Sequence, residues 1–215
     1  MTETMEKTVA FWNSHAERYS KSQISNMDGY RFTLDRTRSY LSPSDTVLEL
    51  GAGTGSTALD LAPAVARITA TDIAPEMSRI AATKARKQGV ENVEFLTADA
   101  TVPDLAGPYD AVLAHNLLHL VEDLPAVIAR AHDLLKPGGV FISKTFCKPH
   151  RLGPPFYYWM RVLLPFLRLM GKAPFVALLT ISELEEAITA GGFEIVEAEN
   201  YPARDIRRYV VARKR

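Results

Sequence analysis

Cysteine is nearly missing from this chain. Cys147 stands alone in 215 residues, which excludes a disulfide framework and a cysteine-built zinc site and suits a reducing compartment. Net charge is missing too: 25 Lys plus Arg balance 25 Asp plus Glu, so no overall field recruits nucleic acid or an acidic polymer, and no nucleic-acid partner is expected. The segment Met1-Thr2-Glu3-Thr4-Met5-Glu6 lacks the basic and apolar regions of a secretory signal, so the expected location is cytoplasmic. His15, His132 and His150 show no metal-ligand spacing with Asp or Glu, and no metal is expected. Uninterrupted apolar runs of membrane-spanning length are also lacking. The most apolar stretch, 154–180, carries Arg161, Pro165, Arg168 and Lys172, which argues against a transmembrane helix.

What is present suffices for one core. A hydrophobic content of 47% over 215 residues fits a single domain, taken here as 1–215. Residues 4–19 and 29–41 read as two aromatic-rich helices, an amino-terminal cap over 1–42. From Val47 onward, strand-length apolar runs alternate with amphipathic helices. The later strands are expected at Arg67–Asp72, Val93–Ala98, Tyr109–Ala114 and Val140–Phe146, and this alternation implies a parallel sheet covered on both faces.

Helix signals support the strand assignments. Pro75 suits a first helical position and Gly89 a stop; Asp123 suits an N-cap for a helix ending at Lys136-Pro137-Gly138-Gly139. Ser182 with Glu185 forms a capping-box pattern for a helix that Gly191-Gly192 ends. Phe193–Glu199 and Ile206–Ala212 then read as two final strands, antiparallel to each other because the connection is too short for a crossover. Between the fifth and sixth strands, 148–180 is expected to be an apolar helical insertion roofing the carboxyl end of the sheet as a substrate lid. A membrane-surface helix over 154–180 and a homodimer contact are the alternative readings.

The densest chemical signal is Val47-Leu48-Glu49-Leu50-Gly51-Ala52-Gly53-Thr54-Gly55. A buried strand carrying a carboxylate enters a loop with glycine at every second position, so main-chain N–H groups can approach a ligand closely. The dinucleotide fingerprint G-x-G-x-x-G is not met, because the third glycine comes one residue early and Ser56 stands in its place. Glu49 would disfavour a pyrophosphate and suit the sulfonium and ammonium charges of S-adenosylmethionine. Asp72, 17 residues past Gly55, can accept hydrogen bonds from both ribose hydroxyls, or can instead cap the helix at Pro75. Asp99 with the Ala100 amide can read an adenine edge, although an Asp after a strand also forms turns.

Together these residues resemble the class I S-adenosylmethionine-dependent methyltransferases, in particular the small bacterial branch related to the ubiquinone and menaquinone methyltransferases. The resemblance runs from about Phe11 to Ala212. It rests on ordered motifs: Glu49 to Gly55, Ala70 to Met77, Ala98-Asp99-Ala100, Tyr109 to His119, and Leu134 to Gly139. It implies a Rossmann-like, doubly wound, seven-stranded, mostly parallel α/β sheet with an antiparallel last strand, and S-adenosylmethionine as cofactor. Gly51, Ala52 and Gly53 would line the methionine portion, with Glu49 and Gly55 completing the loop. Ile73 and Met77 would flank the adenine, Asp99 and Ala100 would recognise its exocyclic amine, and His115 would lie near the methionine or the sulfur. Phe11 to Tyr19 resembles the helix that closes over the cofactor, with Tyr19 as its contact. One departure is Leu120, where relatives often carry a second histidine.

The expected function is methyl transfer to a small hydrophobic or amphipathic acceptor, an in-line displacement needing chiefly alignment and exclusion of water. For a hydroxyl or ammonium acceptor, Tyr19, His115 and His119 are the candidates for taking its proton. An NAD-dependent oxidoreductase and a non-catalytic nucleoside-cofactor-binding module are the alternative functions.

Overall fold

The computed structural model describes residues 3–101, 105–148, 163–164, 166–167, 170, 173–203 and 205–215. In these, a seven-stranded sheet runs in the order β3-β2-β1-β4-β5-β7-β6. The strands are β1 (Thr46–Leu50), β2 (Arg67–Asp72), β3 (Val93–Thr97), β4 (Tyr109–His115), β5 (Leu135–Phe146), β6 (Phe193–Asn200) and β7 (Arg207–Lys214). All described pairings among β1 to β5 are parallel, and β7 lies antiparallel between β5 and β6. The expected architecture, with its antiparallel last strand, is therefore the observed one. Strand order reverses at β1, between β2 and β4, which opens a crevice at the carboxyl ends of those strands.

Alternation along the strands sends apolar residues to two separate cores. Leu48, Leu50, Val112, Ala114, Phe141 and Val210 pack with Val127 and Ile128 of α5 (Leu124–Leu134) and with Leu184 and Ile188 of α6 (Ile181–Ala190). On the opposite face Val47, Ile68, Ala70, Leu113, Ile142 and Val211 pack with Leu34 of α2 (Met27–Arg38) and with Ala58 and Leu61 of α3 (Ser56–Leu61). Burial of both faces explains why the central strands read as continuous apolar runs. α1 (Glu3–Lys21) rests instead on α4 (Pro75–Gln88), where Trp12 and Ala16 meet Ala74, Met77 and Ile80. Asn13 accepts the Glu76 amide at 3.0 Å, fastening α1 to the first turn of α4.

Local signals worked as expected at α4, which begins at Pro75 and ends at Gly89 with φ +67°, and at α5, where Asp123 accepts the Ala126 amide. Two expectations need correction. The capping box of α6 is Thr180 with Glu183, not Ser182 with Glu185: Thr180 Oγ1 accepts the Glu183 amide at 3.1 Å and the Glu183 carboxylate accepts the Thr180 amide at 2.7 Å. Helix phase decides between the overlapping patterns, because starting at Ile181 turns Leu184 and Ile188 into the core. Nor does α5 run to Lys136; it ends at Leu134 and β5 follows at once, with Lys136–Gly139 taken up by an irregularity between the Tyr109↔Leu135 and Ala111↔Val140 pairs. There Asp110 accepts the Thr46 amide at 2.8 Å and the Lys136 ammonium at 2.7 Å, tying together the starts of β1, β4 and β5.

Most of the expected lid, including Tyr157, Arg161, Arg168 and Lys172, lies outside the described residues. Of its described part, Leu163, Phe166 and Met170 are exposed. The stretch before α6 is held to the domain by a Leu179 carbonyl accepting from the Lys148 amide and an Ala177 amide donating to the His119 carbonyl. Among the described residues no helix is long and apolar enough to cross a membrane.

Candidate active site

The crevice is a cleft of about 640 Å³ at the carboxyl ends of β1, β2 and β4, roofed by α1 and α2. Its floor is the loop after β1. Gly51, Gly53 and Gly55 all take positive φ, at +65°, +56° and +79°. Two of them show distinct needs. A Cβ on Gly53 would stand in the space between the loop and Tyr19, 3.7 Å from Cε1 of that ring. A Cβ on Gly55 would drive into Phe95 of β3 at 2.7 Å and Ala81 of α4 at 2.8 Å. Gly53 therefore keeps the cleft open, whereas Gly55 lets helix and strand close up and is not among the residues that line the cleft.

Asp72 ends β2 and braces the loop. One carboxylate oxygen accepts the Gly53 amide at 2.9 Å and the other accepts the Ala74 amide at 2.9 Å, so it serves the turn into α4 while facing the cleft. Burial raises its carboxyl above the usual range, against the pull of those two amides. Glu49 lies alongside on β1, 2% exposed, with Oε2 buried and unpartnered. Burial pushes its carboxyl up to about 8, against the Ala58 amide and with help from Asp72. A buried carboxyl in this state is costly to ionise until a cation arrives.

The remaining expected residues distribute as follows. Ala52, Ile73, Met77, Asp99, Ala100 and His115 line the cleft, and Tyr19 overhangs it from α1. Asp99 also does what a post-strand Asp commonly does, accepting the Thr101 amide and hydroxyl in a turn. The Tyr19 hydroxyl is raised by desolvation and then by Asp72 and Glu49, so it keeps its proton through the neutral range. His115, the last residue of β4, is 7% exposed with neither ring nitrogen partnered, and burial followed by the Lys144 charge brings its pKa down to about 3. His119 does not join it. It is not among the residues that line the cleft; its ring lies 5.8 Å from that of Phe146, and burial lowers its pKa to about 4.

Among the cleft residues not anticipated is a buried lysine. Lys144 of β5 is 4% exposed, and its ammonium donates to the Gly29 carbonyl at 3.0 Å and the Thr33 hydroxyl at 2.6 Å, both on α2. It pairs with His115 across the β4–β5 ladder. The signal was available: Lys144 has the same parity as Val140 and Ile142 in a strand buried on both faces, so its side chain could not reach water directly.

Residues 47–139 match the family model for a methyltransferase domain. A demethylmenaquinone methyltransferase of Tropheryma whipplei is 30% identical over 136 residues, covering 62% of this chain and 56% of that protein. A tRNA 5-carboxymethoxyuridine methyltransferase of Escherichia coli K12 is 32% identical over 123 residues, covering 55% of this chain and 47% of that protein. The chain thus spans about half the length of these curated relatives. The magnesium protoporphyrin IX methyltransferase of Synechocystis PCC 6803, solved with bound S-adenosylmethionine, superposes with a TM-score of 0.72 at 19% identity, covering 100% of this chain and 99% of that one, and so shares its fold. Residues 47–139 thus match a methyltransferase domain, and the chain has the fold of the S-adenosylmethionine-bound enzyme it superposes on.

Proposed function

We propose that this protein binds S-adenosylmethionine in the cleft and transfers its methyl group to a small hydrophobic or amphipathic acceptor. The observation that carries the reading is Glu49: an unpartnered, buried carboxyl oxygen beside a glycine loop suits a cationic ligand and opposes a pyrophosphate. The other residues fit the same cofactor. Gly51, Ala52 and Gly53 would face its methionine portion, and Asp72, with lone pairs beyond its two main-chain bonds, would take the ribose hydroxyls. Ile73, Met77, Asp99 and Ala100 follow along the wall where the adenine would lie.

When bound, this cofactor supplies a methyl group already activated on a sulfonium. The chain's own task is then to hold the acceptor in line and keep water out. α1 and α2 supply the cover, and Tyr19 closes over the glycine loop from α1. His115 presents unpartnered ring nitrogens to the cleft and would hydrogen-bond an acceptor; its lowered pKa makes it a weak base until an acceptor changes its surroundings.

Calorimetric titration with S-adenosylhomocysteine and with NADH separates this reading from an oxidoreductase. Binding of the first and not the second is expected; the reverse, or binding of neither, would overturn the proposal. Incubation with labelled methyl donor and a native cell extract, followed by mass spectrometry, should then yield a methylated small molecule. Tight S-adenosylhomocysteine binding with no methylated product across a broad acceptor panel would instead assign a non-catalytic module.

A further inference from the structure

The cleft is electrically divided. Glu49, Asp72 and Asp99 line the part over β1, β2 and β3, Glu122 and Asp123 the part just before α5, and Lys144 of β5 and Arg207 of β7 the part towards α2. Arg207 has its counter-ion, with Asp205 accepting from its guanidinium at 2.7 to 3.1 Å. Among the described residues Lys144 makes no ion pair. Its ammonium donates to the Gly29 carbonyl and the Thr33 hydroxyl, both neutral, and a third proton remains for another acceptor. Burying a cation without an anion is costly, and burial accordingly lowers the pKa of Lys144 to about 8, with Arg207 adding to that and Asp205 opposing it. Beside it, His115 offers two ring nitrogens, also buried and unpartnered. A place that holds an uncompensated ammonium and unsatisfied imidazole nitrogens on a cavity wall is chemically suited to an incoming oxyanion.

We propose that Lys144 is the anion seat of the acceptor half of the cleft, so that the methyl acceptor carries a carboxylate or an equally acidic oxyanion beside its apolar part. The inference rests on the methyltransferase reading and narrows its acceptor class. The rival source of such an anion is the cofactor's own carboxylate. In methionine that carboxylate shares a carbon with the ammonium, whereas Glu49 and Lys144 stand two strands apart in the sheet, roughly 10 Å at ordinary strand spacing, so a group held at the Glu49 end leaves Lys144 to a second molecule.

The test uses wild-type protein saturated with S-adenosylhomocysteine and matched pairs of probes: 3-phenylpropanoic, 4-phenylbutanoic and 2-naphthylacetic acids, each with its primary amide, read by ligand-observed NMR and calorimetry. At least about tenfold tighter binding of the acids than of the amides is expected, and Lys144→Met should erase that preference while leaving S-adenosylhomocysteine affinity within about threefold. Because Lys144 also ties β5 to α2, the variant's melting curve is recorded. If it does not fold, Arg207→Gln, at a half-exposed position, takes its place and should reduce the preference severalfold. Equal binding of acids and amides, no probe binding, or an acid preference that survives both substitutions would overturn the proposal. A Lys144→Met variant that loses S-adenosylhomocysteine but keeps the acid preference would also overturn it, by giving the seat to the cofactor. Failure of wild-type protein to bind S-adenosylhomocysteine would remove the methyltransferase reading itself, an outcome separate from failure of the acid preference.

Discussion

Glu49 should make the stability of this protein fall as pH rises through neutrality. Its carboxyl ionises at 4.5 when exposed and at about 8 when buried in the folded chain, so between those values the folded state holds a proton that the unfolded chain has lost. Stability is therefore greatest at the acid end of the window and declines with pH by about 1.4 kcal/mol per unit, levelling off above pH 8. Across the full interval this amounts to roughly 5 kcal/mol, a large share of the ~5–15 kcal/mol that holds a typical domain folded. Urea unfolding at pH 5.5 and 7.5 should show wild type losing on the order of 2–3 kcal/mol more than Glu49→Gln, which keeps the shape of the protonated acid and has nothing to ionise. Asp72, also raised, contributes with the same sign in both proteins, so the difference between them reports Glu49 together with its interaction with Asp72. A cationic ligand at Glu49 should expel its proton. Binding of S-adenosylmethionine at pH 7 in phosphate and in Tris should then give enthalpies differing by close to one buffer ionisation, and the difference should vanish in Glu49→Gln. Parallel pH profiles for the two proteins would refute the assignment of a buried, proton-holding Glu49. Equal enthalpies in both buffers would refute its contact with the ligand's charge.

The two loop glycines should part company. Gly55→Ala should lower stability by about 2–4 kcal/mol, from a strained φ and a collision with Phe95 and Ala81, whereas Gly53→Ala should cost about 1–2 kcal/mol from φ alone yet weaken S-adenosylhomocysteine binding more, as paired melting and calorimetry would show. Asp72→Ala should reduce cofactor affinity at least about tenfold by calorimetry, because a charge-assisted acceptor of the ribose hydroxyls is lost along with the brace on the Gly53 amide; unchanged affinity would reduce Asp72 to a turn residue. Thr180→Ala should cost about 1 kcal/mol in denaturant unfolding and Ser182→Ala less than about 0.5, since the hydroxyl that caps α6 belongs to Thr180.

The sheet was legible because its signals are local and redundant. Apolar runs, Pro75 and Gly89 around α4, and the short span between β6 and β7 each constrain one step of the winding, and seven strands in the expected directions follow from them. Boundaries were less legible where two equivalent patterns overlap. Thr180–Glu183 and Ser182–Glu185 are the same motif two residues apart, and only the burial of Leu184 and Ile188 chooses between them. Most of the cleft wall over β1 to β3 could be read from motif order, since Asp72, Ile73, Met77, Asp99 and Ala100 all line it. That Gly55 and His119 stand off the cleft wall was not legible, because a residue's sequence distance from a motif does not say whether neighbouring elements turn it toward the cavity or away. Lys144 shows the converse: as one charge in an apolar strand it reads as an exception, and its meaning comes from α2 lying over it and from His115 beside it on β4.

The Asp110 tie at the starts of β1, β4 and β5 lets robustness and chemistry be tuned apart. Parallel strands begin at one rim and end at the other, so the knot of Asp110, Thr46 and Lys136 occupies the rim opposite Glu49, His115 and Lys144. Heat tolerance gained or lost at the knot should leave ligand selectivity untouched, which gives natural drift, or a protein engineer, two nearly orthogonal dials on a single scaffold.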